Sequence, residues 1–94
     1  METPVSIALT RGLDTIVDAT DAERVIAAGK WHATPSRYTF YARRNFRRAD
    51  GTRGTLLLHS LLTGFEHVDH INGNGLDNRR TNLRAVTNAQ NQYN

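Results

Sequence analysis

Short apolar-rich runs occupy residues 5–10 and 13–18, with Arg11-Gly12 between them. That pattern predicts two short strands joined by a turn, with Leu13, Ile16 and Val17 available to a core. From Thr20 the period lengthens. Ala22, Val25 and Ile26 line one face of a helix over 20–30, Thr20 and Glu23 stand at capping-box spacing, and Gly29 suits the stop. Pro35-Ser36 marks a turn. Alternation returns over 38–44, with Tyr38, Phe40 and Ala42 on one face and Thr39, Tyr41 and Arg43 on the other. Ala49-Asp50-Gly51 is a turn signal before a returning strand over 54–59, so 38–59 is expected to be a β-hairpin with an Arg-rich tip. Residues 59–62 suit a helical turn closed by Gly64.

The last stretch has a different grammar. Val68 ends a short strand, and Asp69 and His70 lie at its exit. Asn72-Gly73-Asn74-Gly75 must be a loop, because each Asn-Gly step favours left-handed backbone. Leu83-Arg84-Ala85-Val86 suits a second strand, and Thr87 with Gln90 opens a last helix near Asn88. No internal repeat or low-complexity linker interrupts the 94 residues. The expectation is a small α+β fold in one domain, 1–94, with a β-rich part over 1–64 and a strand–loop–strand–helix unit over 65–94.

Composition narrows the chemistry. The absence of cysteine excludes disulfides, thiolate zinc sites and a cysteine nucleophile. No apolar run approaches the ~20 residues of a membrane span, and the first residues lack the basic start and long apolar core of a secretory signal. A soluble cytoplasmic protein is expected.

The formal charge is +3, and its distribution is more informative than its total. Arg11 and Arg24 against Glu2, Asp14, Asp18, Asp21 and Glu23 leave residues 1–29 at −3. Arg37, Arg43, Arg44, Arg47, Arg48 and Arg53 against Asp50 leave 37–53 at +5. Except for Lys30 every basic side chain is Arg, whose planar fork suits phosphate oxygens. A concentrated basic patch points to a polyanion partner, and a two-stranded basic ribbon can lie on or in a DNA groove.

Pairing of the two C-terminal strands would bring Asn91, on the second turn of the last helix, opposite Asp69 and His70. A carboxylate oxygen and an amide oxygen form a hard, oxygen-only partial site that suits Mg²⁺ or Mn²⁺. With one carboxylate, DNA phosphate oxygens and waters would have to complete the coordination. His70 would act on protons, since an imidazole can take one from water at neutral pH.

Read together, Asp69-His70-Ile71-Asn72-Gly73, Leu76-Asp77-Asn78-Arg79-Arg80, Asn82-Leu83-Arg84 and Asn91 resemble the HNH endonucleases of phages and mobile introns, in the branch whose third signature residue is Asn. The resemblance is close over the last third of the chain and looser over Trp31 to Leu62. It implies a ββα-metal motif, cleavage or nicking of DNA to 5′-phosphate and 3′-hydroxyl ends, and one divalent ion per site. It also implies roles: His70 as general base, Asp69 and Asn91 as metal ligands, and Asn82 as the catalytic-support residue that braces the loop and helps orient the base. Arg80 and Arg84 are candidate phosphate contacts beside Arg43, Arg44, Arg47 and Arg48. Leu58-His59-Ser60-Leu61 resembles a family motif that usually carries Arg where Ser60 stands, which removes one basic contact. Related homing enzymes often continue into a DNA-reading module, whereas this sequence stops at Asn94: it is expected to be either a piece of a longer chain or a reduced enzyme with weak sequence specificity.

Other readings of the same residues exist. Asp69, His70 and Asn91 could belong to a polar turn before a capped helix. His67, Asp69 and His70 could suggest zinc, but no fourth ligand is evident nearby. Asp77, Asn78 and Arg79 are expected to organise the loop by local hydrogen bonds. A non-catalytic DNA-binding module derived from the same fold is the principal alternative; a protein-interaction domain using the acidic N-terminal part would leave the Arg patch unexplained. A monomer would nick one strand, whereas a homodimer could cut both.

Overall fold

The computed structural model describes residues 3–86, so the expected last helix and Asn91 lie outside the described residues. Within them the chain is a small α+β fold with three antiparallel sheets and two short helices. Strands β1 (Pro4–Ala8) and β2 (Asp14–Asp18) form the first hairpin, with Val5 opposite Val17 and Ile7 opposite Thr15. Arg11 and Gly12 both take positive φ at its turn, the backbone such a tight reversal requires.

Helix α1 (Ala19–Ala27) starts two residues earlier than the capping box implies. Asp18 holds the N-cap position without a side-chain cap bond, and its carboxylate accepts the Arg80 backbone N–H instead at 3.0 Å. Thr20 therefore lies inside the first turn. The buried face of α1 carries Asp21, Ala22 and Val25, while Ile26 is 61% exposed. Asp21 takes the place expected of Ile26 because Arg80 reaches across to it, with Nε and Nη2 at 2.9 and 3.1 Å from its carboxylate oxygens. A buried carboxylate needs such a partner.

The second sheet has three strands rather than the expected two: β3 (His32–Pro35), β4 (Phe40–Arg47) and β5 (Arg53–Leu57), in that order. Trp31, which precedes β3, is 2% exposed and donates its indole N–H to the Val25 carbonyl at 2.9 Å. With Val17, Ala22, Val25, Ala42, Leu58 and Leu62 it makes the core. Arg48 to Thr52 turn at the tip of β4–β5 as expected, and Asp50 accepts from the Thr52 amide and hydroxyl. Helix α2 (Leu58–Thr63) then runs directly out of β5 and stops at Gly64, whose φ of 77° is the left-handed C-cap.

Strands β6 (Val68–His70) and β7 (Leu83–Ala85) pair antiparallel, Val68 with Ala85, Asp69 with Arg84 and His70 with Leu83. A single turn of 3₁₀ helix (Arg80–Asn82) leads into β7. The loop between them does not hang free. Its middle lies against β2 as a short parallel bridge, with Ile16 N–H to Leu76 O at 2.9 Å and Asn78 N–H to Ile16 O at 2.7 Å. Gly73 has the positive φ expected of an Asn-Gly step. Gly75 is needed for a different reason: a Cβ there would overlap the Phe40 carbonyl oxygen and the Tyr41 ring. Loop, first hairpin and β4 thus converge on one point, and that point is next to His70.

Candidate active site

Local geometry at the exit of β6 follows from its short polar side chains. The Asn72 side-chain oxygen accepts the Asn74 N–H at 2.9 Å, and the Asn74 side-chain oxygen accepts the Leu76 N–H at 3.0 Å. Each is a side chain imitating a backbone turn. Asn82 closes the loop. Its Oδ1 accepts the Asn72 N–H at 3.0 Å, and its Nδ2 donates to Asn72 Oδ1 at 3.0 Å and to the Asp77 carbonyl at 2.8 Å. At 6% exposure its amide has one acceptor and two donor bonds, all inside the loop. Asp77 is clasped by Arg79, Nε to Oδ1 and Nη2 to Oδ2, each at 2.7 Å, and also accepts from Asn72. The Arg79 hydrogen bonds hold the Asp77 carboxyl below its ordinary range.

His70 is 6% exposed, at the end of β6. Its ring stacks on Tyr41 at 5.6 Å between centroids and meets the ring of His59 edge-on at 4.9 Å. Nε2 lies 2.9 Å from Asn78 Oδ1. The direct hydrogen bond to the imidazole therefore comes from Asn78 rather than Asn82, which acts on the loop. Asn78 is fully buried and reaches back to Thr15 on β2. Sequence reasoning had given Asn78 only a loop role, had tied neither Tyr41 nor His59 to His70, and had passed over Thr15. The Asp77-Asn78 pair was visible as a motif, but nothing in one chain connects Asn78 to a threonine 63 residues earlier.

Asp69 precedes His70 and points to the opposite face of the strand, as alternation requires. Its carboxylate is 38% exposed and lies 2.8 Å from Arg84 Nη2, its cross-strand neighbour. Arg84 is thus engaged with the candidate metal ligand, and Arg80 with Asp21. Among the described residues no group of three or more His, Asp or Glu side chains could hold a metal ion, so His67, Asp69 and His70 do not form a zinc trio. The donor set here is one accessible carboxylate, with the Asn91 amide outside the described residues. That fits a hard cation completed by phosphate oxygens and not a closed protein cage.

The hairpin arginines divide by strand parity. Arg43 and Arg47 share the face of Tyr41, Arg44 shares that of Ala42, and Arg48 lies in the turn beyond the strand. Arg44 lies over Trp31 at 6.0 Å. Arg48 covers Phe46 at 5.2 Å and donates to the Arg53 carbonyl at 2.7 Å. Arg47 is exposed and directly opposite Arg53 across the ladder.

Residues 64–93 match the family model of the HNH endonucleases. This segment is similar to the HNH endonuclease family. The HNH match spans β6, the braced loop and β7, and continues beyond the described residues. Thr15, Tyr41 and His59 lie outside it, so the contacts on His70 come partly from elements that the family model does not cover. The chain matches no curated protein and no solved structure.

His59 gives the candidate site a pH signature. It is 4% exposed and its Nδ1 is buried with no hydrogen-bond partner. Burial first, and the charge of His70 second, push its pKa down to about 4 from 6.5; the other group facing it is the Tyr41 ring at 5.3 Å. The unfolded chain therefore binds a proton near pH 6.5 that the folded chain refuses until about pH 4. Stability should be full above pH 6.5 and fall by about 3 kcal/mol as pH drops through that window. Denaturant melts of wild type and His59→Gln at pH 7 and pH 4.5 check this. The variant, which cannot titrate, should lose much less; equal losses would mean that other groups carry the acid limb. Asp77, held low by Arg79, loses its contribution only at still lower pH.

Proposed function

We propose that this chain is a metal-dependent DNA endonuclease that hydrolyses phosphodiester bonds, with His70 as general base and Asp69 as metal ligand. The observation that carries the proposal is the position of His70. Its ring is clamped by Tyr41 and His59 and tied through Nε2 to Asn78, one residue from an accessible carboxylate. In this reading the other ring nitrogen, Nδ1, takes the proton of the attacking water. Burial among aromatic rings limits the ring's rotation, so it is pre-positioned rather than recruited by substrate.

A divalent ion such as Mg²⁺ or Mn²⁺, held by Asp69 and Asn91, would supply charge stabilisation at the scissile phosphate. Arg84 neutralises Asp69 in the free protein. A DNA phosphate can compete for that guanidinium and leave the carboxylate for a cation. Asn82 contributes at one remove by holding the loop between the two strands in register.

DNA is the substrate that the charge distribution favours. Arg43 and Arg47 share the face of Tyr41, and Arg47 opposes Arg53. Like charges directly across a ladder repel, an arrangement that a polyanion relieves. Replacing Arg47 and Arg53 together with Ala should weaken binding to a short duplex and reduce the slope of log affinity against log salt by about 2. Arg48→Ala should change the slope less, because Arg48 is spent on Phe46 and the Arg53 carbonyl. A slope unaffected by the double substitution would remove the hairpin tip from the DNA face.

The chemistry has its own test. Attack by water with departure of the 3′-oxygen leaves a 5′-phosphate and a 3′-hydroxyl. Open circles made from supercoiled plasmid in Mg²⁺ should therefore be resealed by DNA ligase without end repair. Nicks that need a kinase or phosphatase first, or binding with no nicking in any metal, would overturn the proposal; the second outcome favours the non-catalytic binding module.

A further inference from the structure

We propose that Thr15 and Asn78 form a hydroxyl–amide relay from the first hairpin to His70. The relay fixes the imidazole as the tautomer protonated on Nε2 and leaves the Nδ1 lone pair free. Both are positioning residues. The inference rests on the reading of His70 as base only for its kinetic consequence; the tautomer itself can be observed without any activity.

The hydrogen bonds determine the direction of the relay. The Thr15 hydroxyl donates to the Leu76 carbonyl at 2.8 Å. A carbonyl oxygen can only accept, so the single hydroxyl proton is committed there. Toward Asn78, at 2.8 Å, the Thr15 oxygen must then act as acceptor, and Asn78 must present its NH₂ group. The Gly75 carbonyl, 3.4 Å from the same nitrogen, demands the same orientation. With the amide nitrogen turned toward Thr15, Asn78 Oδ1 faces His70 Nε2 at 2.9 Å. An amide oxygen can only accept, so Nε2 must carry the proton. A neutral imidazole has one N–H, and Nδ1 is left with its lone pair.

The three side chains are all buried, Thr15 and Asn78 completely and His70 to within 6%. Water is thus a poor substitute for either acceptor, and a wrong amide orientation would leave two buried donors or two buried acceptors facing each other. The same contacts explain why the middle of the loop is laid along β2. Ile16 N–H and O bond Leu76 and Asn78 on either side of the relay, holding the Thr15 hydroxyl and the Asn78 amide in register. The first hairpin, which has no catalytic residue of its own in this account, thereby reaches the base.

The test is a long-range ¹H–¹⁵N correlation spectrum of the imidazole-labelled full chain at pH 8.5, alongside single-turnover plasmid nicking and duplex affinity. Wild type should show His70 as the Nε2–H tautomer alone. Thr15→Val keeps the shape but cannot accept or donate. The Nδ1–H tautomer should then become detectable, and the nicking rate should fall at least tenfold at unchanged DNA affinity. Thr15→Ser, which keeps the hydroxyl, should restore both. A wild-type His70 protonated on Nδ1 overturns the relay, and that result needs no variant to fold. Thr15→Val with tautomer and rate both unchanged overturns it as well. If the tautomer behaves as stated but wild type does not cut DNA, the relay stands and the reading of His70 as base is what fails.

Discussion

Replacing His70 with Ala should lower the single-turnover rate of DNA nicking by a factor on the order of 10²–10⁴, the usual contribution of a positioned general base, with duplex affinity changed only slightly. The imidazole is the only side chain of this cluster that combines a strand-exit position, a neighbouring accessible carboxylate and a defined proton on one ring nitrogen. Removing it also empties the space between Tyr41 and His59 and strands Asn78 Oδ1, so some stability is lost, about 1–3 kcal/mol for the buried acceptor. His70→Gln separates the two effects. Its amide can still donate to Asn78, so stability should recover in part, but it cannot act as a base and the rate should stay low. Turnover retained in either variant would exclude His70 as the base.

Asn82→Ala should act on the fold before it acts on the chemistry. The side chain makes three hydrogen bonds inside the loop. Truncation leaves the Asn72 N–H and the Asp77 carbonyl without those partners at a site only 6% exposed. A cost of about 3 kcal/mol follows, which for a domain of this size lowers Tm by on the order of 15 °C. Nicking should fall because the loop no longer holds His70 and Asp69 in place, and cooling or a stabilising osmolyte should recover part of it. A variant with unchanged Tm and no activity would instead give Asn82 a direct part in the reaction, contrary to the brace assigned to it here.

What the chain disclosed in advance depended on range. Short apolar runs and turn residues located the first hairpin, the β4–β5 ribbon and the α2 stop at Gly64, because each is a pattern among neighbours. The strand at His32–Pro35 escaped, since four residues ending in proline are too few to establish a period. Ile26 was assigned to the core by helical spacing, yet Asp21 occupies that side because its counter-charge, Arg80, arrives from 59 residues further along. The Asp69-His70 pair and the Asn82 brace were legible as a motif. The contacts that define the histidine were not: Thr15 acts through Asn78 across 63 residues, and Tyr41 and His59 meet His70 only after three sheets have packed together. Arg43, Arg44, Arg47 and Arg48 looked equivalent as a charge run, but strand parity sends Arg44 to the face opposite Arg43 and Arg47, and Arg48 lies in the turn beyond the strand.

The central claim is that the end of β6 is a metal-dependent hydrolytic centre. Incubation of the full chain, freed of metal by chelation, with supercoiled plasmid before and after addition of Mg²⁺ or Mn²⁺ tests it most directly. The expected result is no conversion without metal, open circles once either ion is returned, and none from His70→Ala under the same conditions. Nicking that survives chelation, or its absence in both ions while the protein still binds the plasmid, would contradict it.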